Sequence, residues 1–153
     1  MLMNEKKLLH VAEIPVRWGD MDTNQHVNNT RYYQYLEEAR IEWLDGIGAQ
    51  RRQIGQGLVL LRCTHHFLRP VDHPATVQVE LYAIEVGRTS LTIGHRMLVK
   101  GEEGQAGYGD TKLVWIDVAS QRPIPVPDRV RVAMGYEPVE QTEATEEVCE
   151  AIV

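Results

Sequence analysis

Arg17-Trp-Gly-Asp-Met-Asp-Thr-Asn-Gln-His-Val-Asn-Asn-Thr-Arg-Tyr-Tyr-Gln-Tyr-Leu-Glu-Glu-Ala-Arg40 sets two carboxylates, Asp20 and Asp22, a histidine, His26, and two asparagines, Asn28 and Asn29, directly ahead of a helical pattern. Tyr32, Leu36, Ala39 and Trp43 follow at spacings of four, three and four, one apolar stripe of an α-helix, with Tyr35 alongside. Asn28 or Asn29 suits the N-cap, because a short side-chain oxygen there satisfies an otherwise orphaned backbone N–H. Gly46 or Gly48 suits the stop. A carboxylate beside a helix N-terminus pairs a base or nucleophile with N–H groups and the positive end of the helix dipole. Acyl transfer needs both.

Outward from this helix the chain reads as strands. Val11, Ile14, Val16 and Trp18 give an imperfectly alternating strand before it. Leu58–Leu68, Ala75–Val86, Ser90–Val99 and Ala106–Ile116 follow it, separated by Arg69-Pro70, Gly87-Arg88 and Gly101–Gly104. One strand, one long helix and four strands on short turns predict an α+β domain in which an antiparallel sheet of about five strands wraps a central helix. Residues 1–135 form this domain. Beyond it, 136–153 is rich in glutamate, has no basic residue and reads as an acidic tail.

Bulk properties narrow the function. At 153 residues and 43% hydrophobic, the chain has material for one core. A net charge of −6 argues against nucleic acid as partner, since phosphate backbones are held by lysine and arginine clusters. No apolar run approaches a membrane span and no signal-like segment opens the chain, so a cytoplasmic protein is expected. Cys63 and Cys149 do not suggest a disulfide framework. Cys63, His65 and His66 lie together, but on a strand only Cys63 and His65 share a face, too few ligands for structural zinc; no metal and no cofactor are expected.

The quoted stretch resembles the signature of hotdog-fold acyl-CoA thioesterases of the 4-hydroxybenzoyl-CoA thioesterase type. In those proteins an Asp-x-Asp element runs into Gly-His-Val-Asn-Asn and a Tyr-rich helix ending near Glu-Glu-Ala-Arg. Here these are Asp20-Met-Asp22, Gln25-His26-Val27-Asn28-Asn29, Tyr32 and Glu37-Glu38-Ala39-Arg40, with Gln25 where glycine is usual. From the residues alone Asp20 and Asp22, read as extended chain, point the same way and cannot be told apart. The resemblance assigns the catalytic carboxylate to Asp22 and leaves Asp20 as its structural partner. It makes the backbone N–H of Asn29 the oxyanion donor and Tyr32 a pocket wall. His26, beside the carboxylate, is a further catalytic candidate that moves a proton or holds the loop at the thioester end, and Asn28 is expected at the substrate.

The substrate implied is an acyl-CoA, with the His-Val-Asn-Asn form pointing to a fatty acyl group. His65 is expected to line an acyl tunnel, and the basic, hydroxyl-bearing turn Arg88-Thr89-Ser90 to meet the CoA phosphates. Exposed sheet edges predict a homodimer or homotetramer. Two rivals remain. A hotdog dehydratase or hydratase would pair His26 with Glu37 or Glu38, and a non-catalytic module would bind acyl-CoA or an acyl carrier without turnover.

Overall fold

The computed structural model describes residues 5–49 and 55–139. Strand β1 (Leu8–Pro15) leads through a 3-10 turn (Trp18–Asp20) to helix α1 (Asn29–Gly46). Strands β2 (Gln56–Phe67), β3 (Thr76–Val86), β4 (Ser90–Val99) and β5 (Gln105–Asp117) follow, then a short helix α2 (Asp128–Ala133). The strands form one antiparallel sheet in the order β1-β3-β4-β5-β2. This is the expected α+β arrangement, with α1 packed on one face of the sheet.

The helical stripe read from the sequence is the buried face of α1: Tyr32, Tyr35, Leu36, Ala39 and Trp43 are all buried. Opposite them stand Val77, Val79 and Leu81 of β3, Leu91, Ile93 and Met97 of β4, and Leu113 and Trp115 of β5, each nearly inaccessible. Each large apolar side chain removed from water contributes about 1.5–3 kcal/mol, so this single face dominates the stability of the domain. No helix among the described residues is long and apolar enough to cross a membrane.

β2 is an edge of the sheet and is poorly covered. Val59, Leu60 and Leu61 are about half exposed, beside a bulge between Leu60 and Arg62. At the other end of the sheet the chain after β5 folds back: Val126 N–H donates to Arg88 O (2.9 Å), Arg131 Nη1 to Gly87 O (2.9 Å) and Tyr136 Oη to Ile84 O (3.3 Å). Tyr136 thus docks on the sheet. The acidic tail past Val139, with Cys149, lies outside the described residues.

The first strand stops earlier than the alternation of Val16 and Trp18 suggests. Pro15 ends its pairing with Thr76, and Trp18 is 80% exposed. The Trp18–Asp20 turn also removes the extended geometry that would point Asp20 and Asp22 the same way.

Candidate active site

Asp20 is the structural member of the pair. It is 8% exposed, and its Oδ2 accepts from Tyr35 Oη (2.6 Å) and from Arg17 N–H (3.0 Å), with Arg31 Nε 3.8 Å from its Oδ1. Burial raises this carboxyl, but the Tyr35 hydroxyl, the Arg17 N–H and the arginine charges outweigh it and hold the group below its usual range. Burial first, and the Asp20 charge after it, push the Tyr35 phenol well above its ordinary value. Asp20 therefore bolts the loop to α1.

Asp22 stands on a tight turn closed by the Met21–Val27 bridge. Its N–H donates to His26 O (2.9 Å), its carbonyl accepts from Gln25 N–H (3.0 Å), and its Oδ1 accepts from Asn24 N–H (2.8 Å). Its Oδ2 has no hydrogen-bond partner among the described residues. The turn needs a left-handed residue at position 25, and Gln25 takes it with φ 61°. Glycine adopts that conformation freely, whereas in glutamine the Cβ crowds the following carbonyl oxygen. The departure from the glycine of the resemblance thus puts a strained residue into this turn.

Asn28 is the N-cap of α1. Its Oδ1 accepts from Thr30 N–H (2.9 Å) and Thr30 Oγ1 (2.7 Å), and its carbonyl accepts from Arg31 N–H (2.9 Å). Between these bonded groups the backbone N–H of Asn29 finds no acceptor among the described residues. Asn29, His26, Tyr32, Phe67 and Arg69 line a pocket of about 310 Å³. Asp22 is not part of that wall; it sits on the preceding turn.

The loop after β2 closes the other side. Val27 N–H donates to Val71 O (2.8 Å), and His26 Nδ1 lies 2.5 Å from Asp72 Oδ1, with both side chains about half exposed. The histidine's acidic partner is therefore Asp72. Glu37 and Glu38 point to solvent further along α1, and Glu37 lines a separate groove of about 630 Å³ with Arg40, Ile41, Leu44, Leu58 and Leu60. The His26–glutamate pairing of a dehydratase is not formed.

Tyr32 is buried, which pushes its phenol up, and it packs edge-on against Phe67 (5.1 Å, 84°) and beside His65 (5.4 Å). His65 lies under the helix and stacks on His95 (5.2 Å, 11°), its Nδ1 2.9 Å from His95 Nε2. The other nitrogen of His65, Nε2, is buried without a partner. Burial drives both rings towards the neutral form, His65 down to about 4 and His95 to about 3. Room for them comes from two glycines on β5. A Cβ at Gly107 would lie 2.3 Å from His65 Nε2, and one at Gly109 3.0 Å from His95 Cε1. Cys63, on the same face as His65, contacts Thr111 Oγ1 (3.4 Å), and no cluster of three or more potential cation ligands occurs among the described residues.

Arg88, Thr89 and Ser90 are not near this pocket within the protomer. They join β3 to β4 at the end where Val86 faces Leu91, nine residues along β3 from the Val77–Val99 end nearest the loop, or about 30 Å at the strand rise. Arg88 O accepts from Val126 N–H (2.9 Å) of the chain after β5, and Thr89 O from Trp115 N–H (2.8 Å) of β5 itself.

An antiparallel five-stranded sheet around one helix, with a polar turn feeding the helix start, defines a hotdog-fold protein. The chain belongs to the thioesterase-like superfamily, whose family model matches residues 16–134, and it is a thioester hydrolase. It is 51% identical to a candidate thioesterase from Pseudomonas aeruginosa, over 83% of this chain and 98% of that one, with a TM-score of 0.80. It is 39% identical to a candidate acyl-CoA thioesterase from Xanthomonas campestris, over 72% and 95%, with a TM-score of 0.67. A 1,4-dihydroxy-2-naphthoyl-CoA thioesterase from Synechocystis, at 18% identity over 82% and 94% and a TM-score of 0.74, shares the fold.

Proposed function

We propose that this thioesterase hydrolyses an acyl-CoA to the free acid and CoA, with a fatty acyl group preferred. The observation that carries the reading is the N–H of Asn29, without an acceptor among the described residues, in a pocket wall at the start of α1, with Asp22 on the turn that leads into that helix. The thioester carbonyl accepts from that N–H, which together with the helix dipole stabilises the oxyanion as the carbon becomes tetrahedral; one such donor is worth about 10²–10³ in kcat. Asp22 acts through its free Oδ2. It removes a proton from the attacking water, or it attacks the carbonyl itself and water later opens the anhydride. His26 and Asn28 hold the thioester end of the site, and Tyr32, His65 and Phe67 form its apolar wall.

The acyl preference is supported by the apolar wall that Tyr32, Phe67 and Leu68 give to the Asn29 pocket. The active form is a homodimer or a homotetramer built from it. A second copy paired antiparallel along the open edge of β2 covers Val59, Leu60 and Leu61. It also sets the partner subunit's Gln56 end beside this copy's Phe67 end. The partner subunit's Arg88, Thr89 and Ser90 then lie at the same end of the assembly as Asp22, where CoA phosphates need cations.

A panel of acyl-CoA thioesters scored by thiol release tests the activity, and Asp22→Asn tests the residue. The substitution keeps shape and removes charge, so kcat is expected to fall by at least ~10²-fold, the low end for a positioned base. Activity within a few-fold of the parent would remove Asp22 from the mechanism. Sedimentation at micromolar concentration tests the assembly, and a fully active monomer contradicts it.

A further inference from the structure

The geometry points to Asp72 as a positioning residue that turns His26 into an acceptor for the pantetheine amide N–H next to the thioester. This rests on the thioesterase reading and names the part of the substrate that His26 reads. A carboxylate at neutral pH only accepts hydrogen bonds, so the 2.5 Å contact between Asp72 Oδ1 and His26 Nδ1 makes Nδ1 the donor. In the neutral ring the proton then sits on Nδ1, and Nε2 carries a lone pair. No group among the described residues bonds to Nε2, and His26 lines the pocket that holds the free N–H of Asn29.

The substrate must supply the matching donor. The thioester carbonyl and sulfur have no N–H or O–H, and the first donor along the leaving group is the amide nitrogen two methylenes beyond the sulfur. The exposure of the site fits that order. Tyr32 is buried at the pocket wall, whereas His26 on the same wall is about half exposed, so the pantetheine arm leaves past His26 from an acyl group held inside. The loop holds the dyad at this distance from both sides, through Val27 N–H on Val71 O (2.8 Å) and His73 N–H on Met21 Sδ (3.3 Å). Chemistry common to CoA and to carrier-protein thioesters is thereby recognised, and a thioester without the amide is not.

Steady-state kinetics on two thioesters of one acyl group test this: the N-acetylcysteamine ester, which keeps the amide, and the S-propyl ester, which lacks it. The parent is expected to prefer the N-acetylcysteamine ester. In His26→Leu and Asp72→Ala the ratio of kcat/KM between the two esters falls roughly three- to ten-fold, the effect of one neutral hydrogen bond, and KM carries the change. Asp72→Asn and His26→Gln, which keep a carbonyl acceptor at the place in question, restore part of the ratio, and they carry the test if the truncations do not fold. Equal losses on both esters, or a loss confined to kcat, overturn the proposal and assign the dyad to water or to loop structure. A parent that cleaves neither ester, nor any acyl-CoA, refutes the thioesterase reading itself and is a distinct result.

Discussion

Acidification should destabilise this protein well above the pH at which its carboxylates protonate, because of the imidazole pair beneath α1. His95 is 1% exposed, and its neutral form is enforced first by burial, then by the facing His65 ring and by Arg40; His65 is held down by burial and then by His66. Tyr32 on the helix and the Cys63–Thr111 contact on the sheet add no negative charge to compensate a second proton. In the unfolded chain both rings titrate near 6.5, whereas in the fold they stay neutral to about 4 and about 3. Below 6.5 the unfolded state therefore binds more protons, and stability falls as the pH drops from there towards the folded values.

The size follows from the linkage. Each unit of pH in that window removes up to about 1.4 kcal/mol per histidine, so at about pH 4.5 His95 costs nearly 3 kcal/mol. His65, only partly buried, is discounted to about half of that for solvent screening. The total of roughly 4 kcal/mol is a large share of a typical 5–15 kcal/mol, and it corresponds to a drop in Tm on the order of 10 °C. Thermal melts of the parent and of the double variant His65→Leu/His95→Leu, taken between about pH 7 and pH 4.5, isolate the pair, because every other titrating group is shared. The difference in Tm should widen steadily on acidification. Two parallel curves, or ring resonances showing either imidazole charged in the folded protein at about pH 5.5, would refute the reasoning.

Gln25→Gly relieves a left-handed glutamine at roughly 1–2 kcal/mol and adds about 0.5–1 kcal/mol of unfolded-state freedom, so a net gain of a few tenths to 1 kcal/mol is expected in thermal unfolding; an unchanged or lower Tm contradicts the strain. Gly109→Ala sets a Cβ 2.0 Å from Thr64 O, a backbone atom that cannot swing aside, so β2 must shift and about 2–3 kcal/mol is lost on denaturant unfolding. A variant as stable as the parent would show that β2 is looser against β5 than its register implies. Tyr35→Phe deletes the 2.6 Å bond to buried Asp20 and should cost about 1–3 kcal/mol, measured the same way, and a neutral result would mean that water replaces the hydroxyl.

The fold was legible because its signals are local. The spacing of Tyr32, Leu36, Ala39 and Trp43 is a property of one helix, and β4 ends at Ser90 and Val99 as its alternation predicts. Where a reading failed, a neighbour distant in sequence decided. The alternation through Val16 and Trp18 looked like strand, but Pro15 stops pairing with β3 and the chain turns so that Asp20 can meet Tyr35. His95 sits between Gly94 and Arg96 in an alternating strand and gave no warning. Its only trace is the Gly107-x-Gly109 pattern of the strand beside it, legible as space for a ring once the register of β4 on β5 is known.

The site divides in the same way, and the division has a physical origin. Asp22, His26, Asn28 and Asn29 lie within eight residues, so a turn and a cap place them together whatever the rest of the chain does. Asp72 lies 46 residues from His26 and reaches it only because Val27 pairs with Val71, a contact that no spacing encodes. The turn at Arg88–Ser90 errs in the opposite sense: its chemistry suits phosphate, yet within one chain β3 carries it about 30 Å away along the strand. In the proposed assembly, with two sheets joined antiparallel along β2, a basic turn and a helix start at opposite ends of one sheet come to the same end. In that proposed assembly the exposed Val59, Leu60 and Leu61 on that edge bear on function as well as on subunit pairing. Charging the edge, as in Leu61→Lys, should lower activity on acyl-CoA in step with the loss of the dimer, and should do so without any change at Asp22 or Asn29.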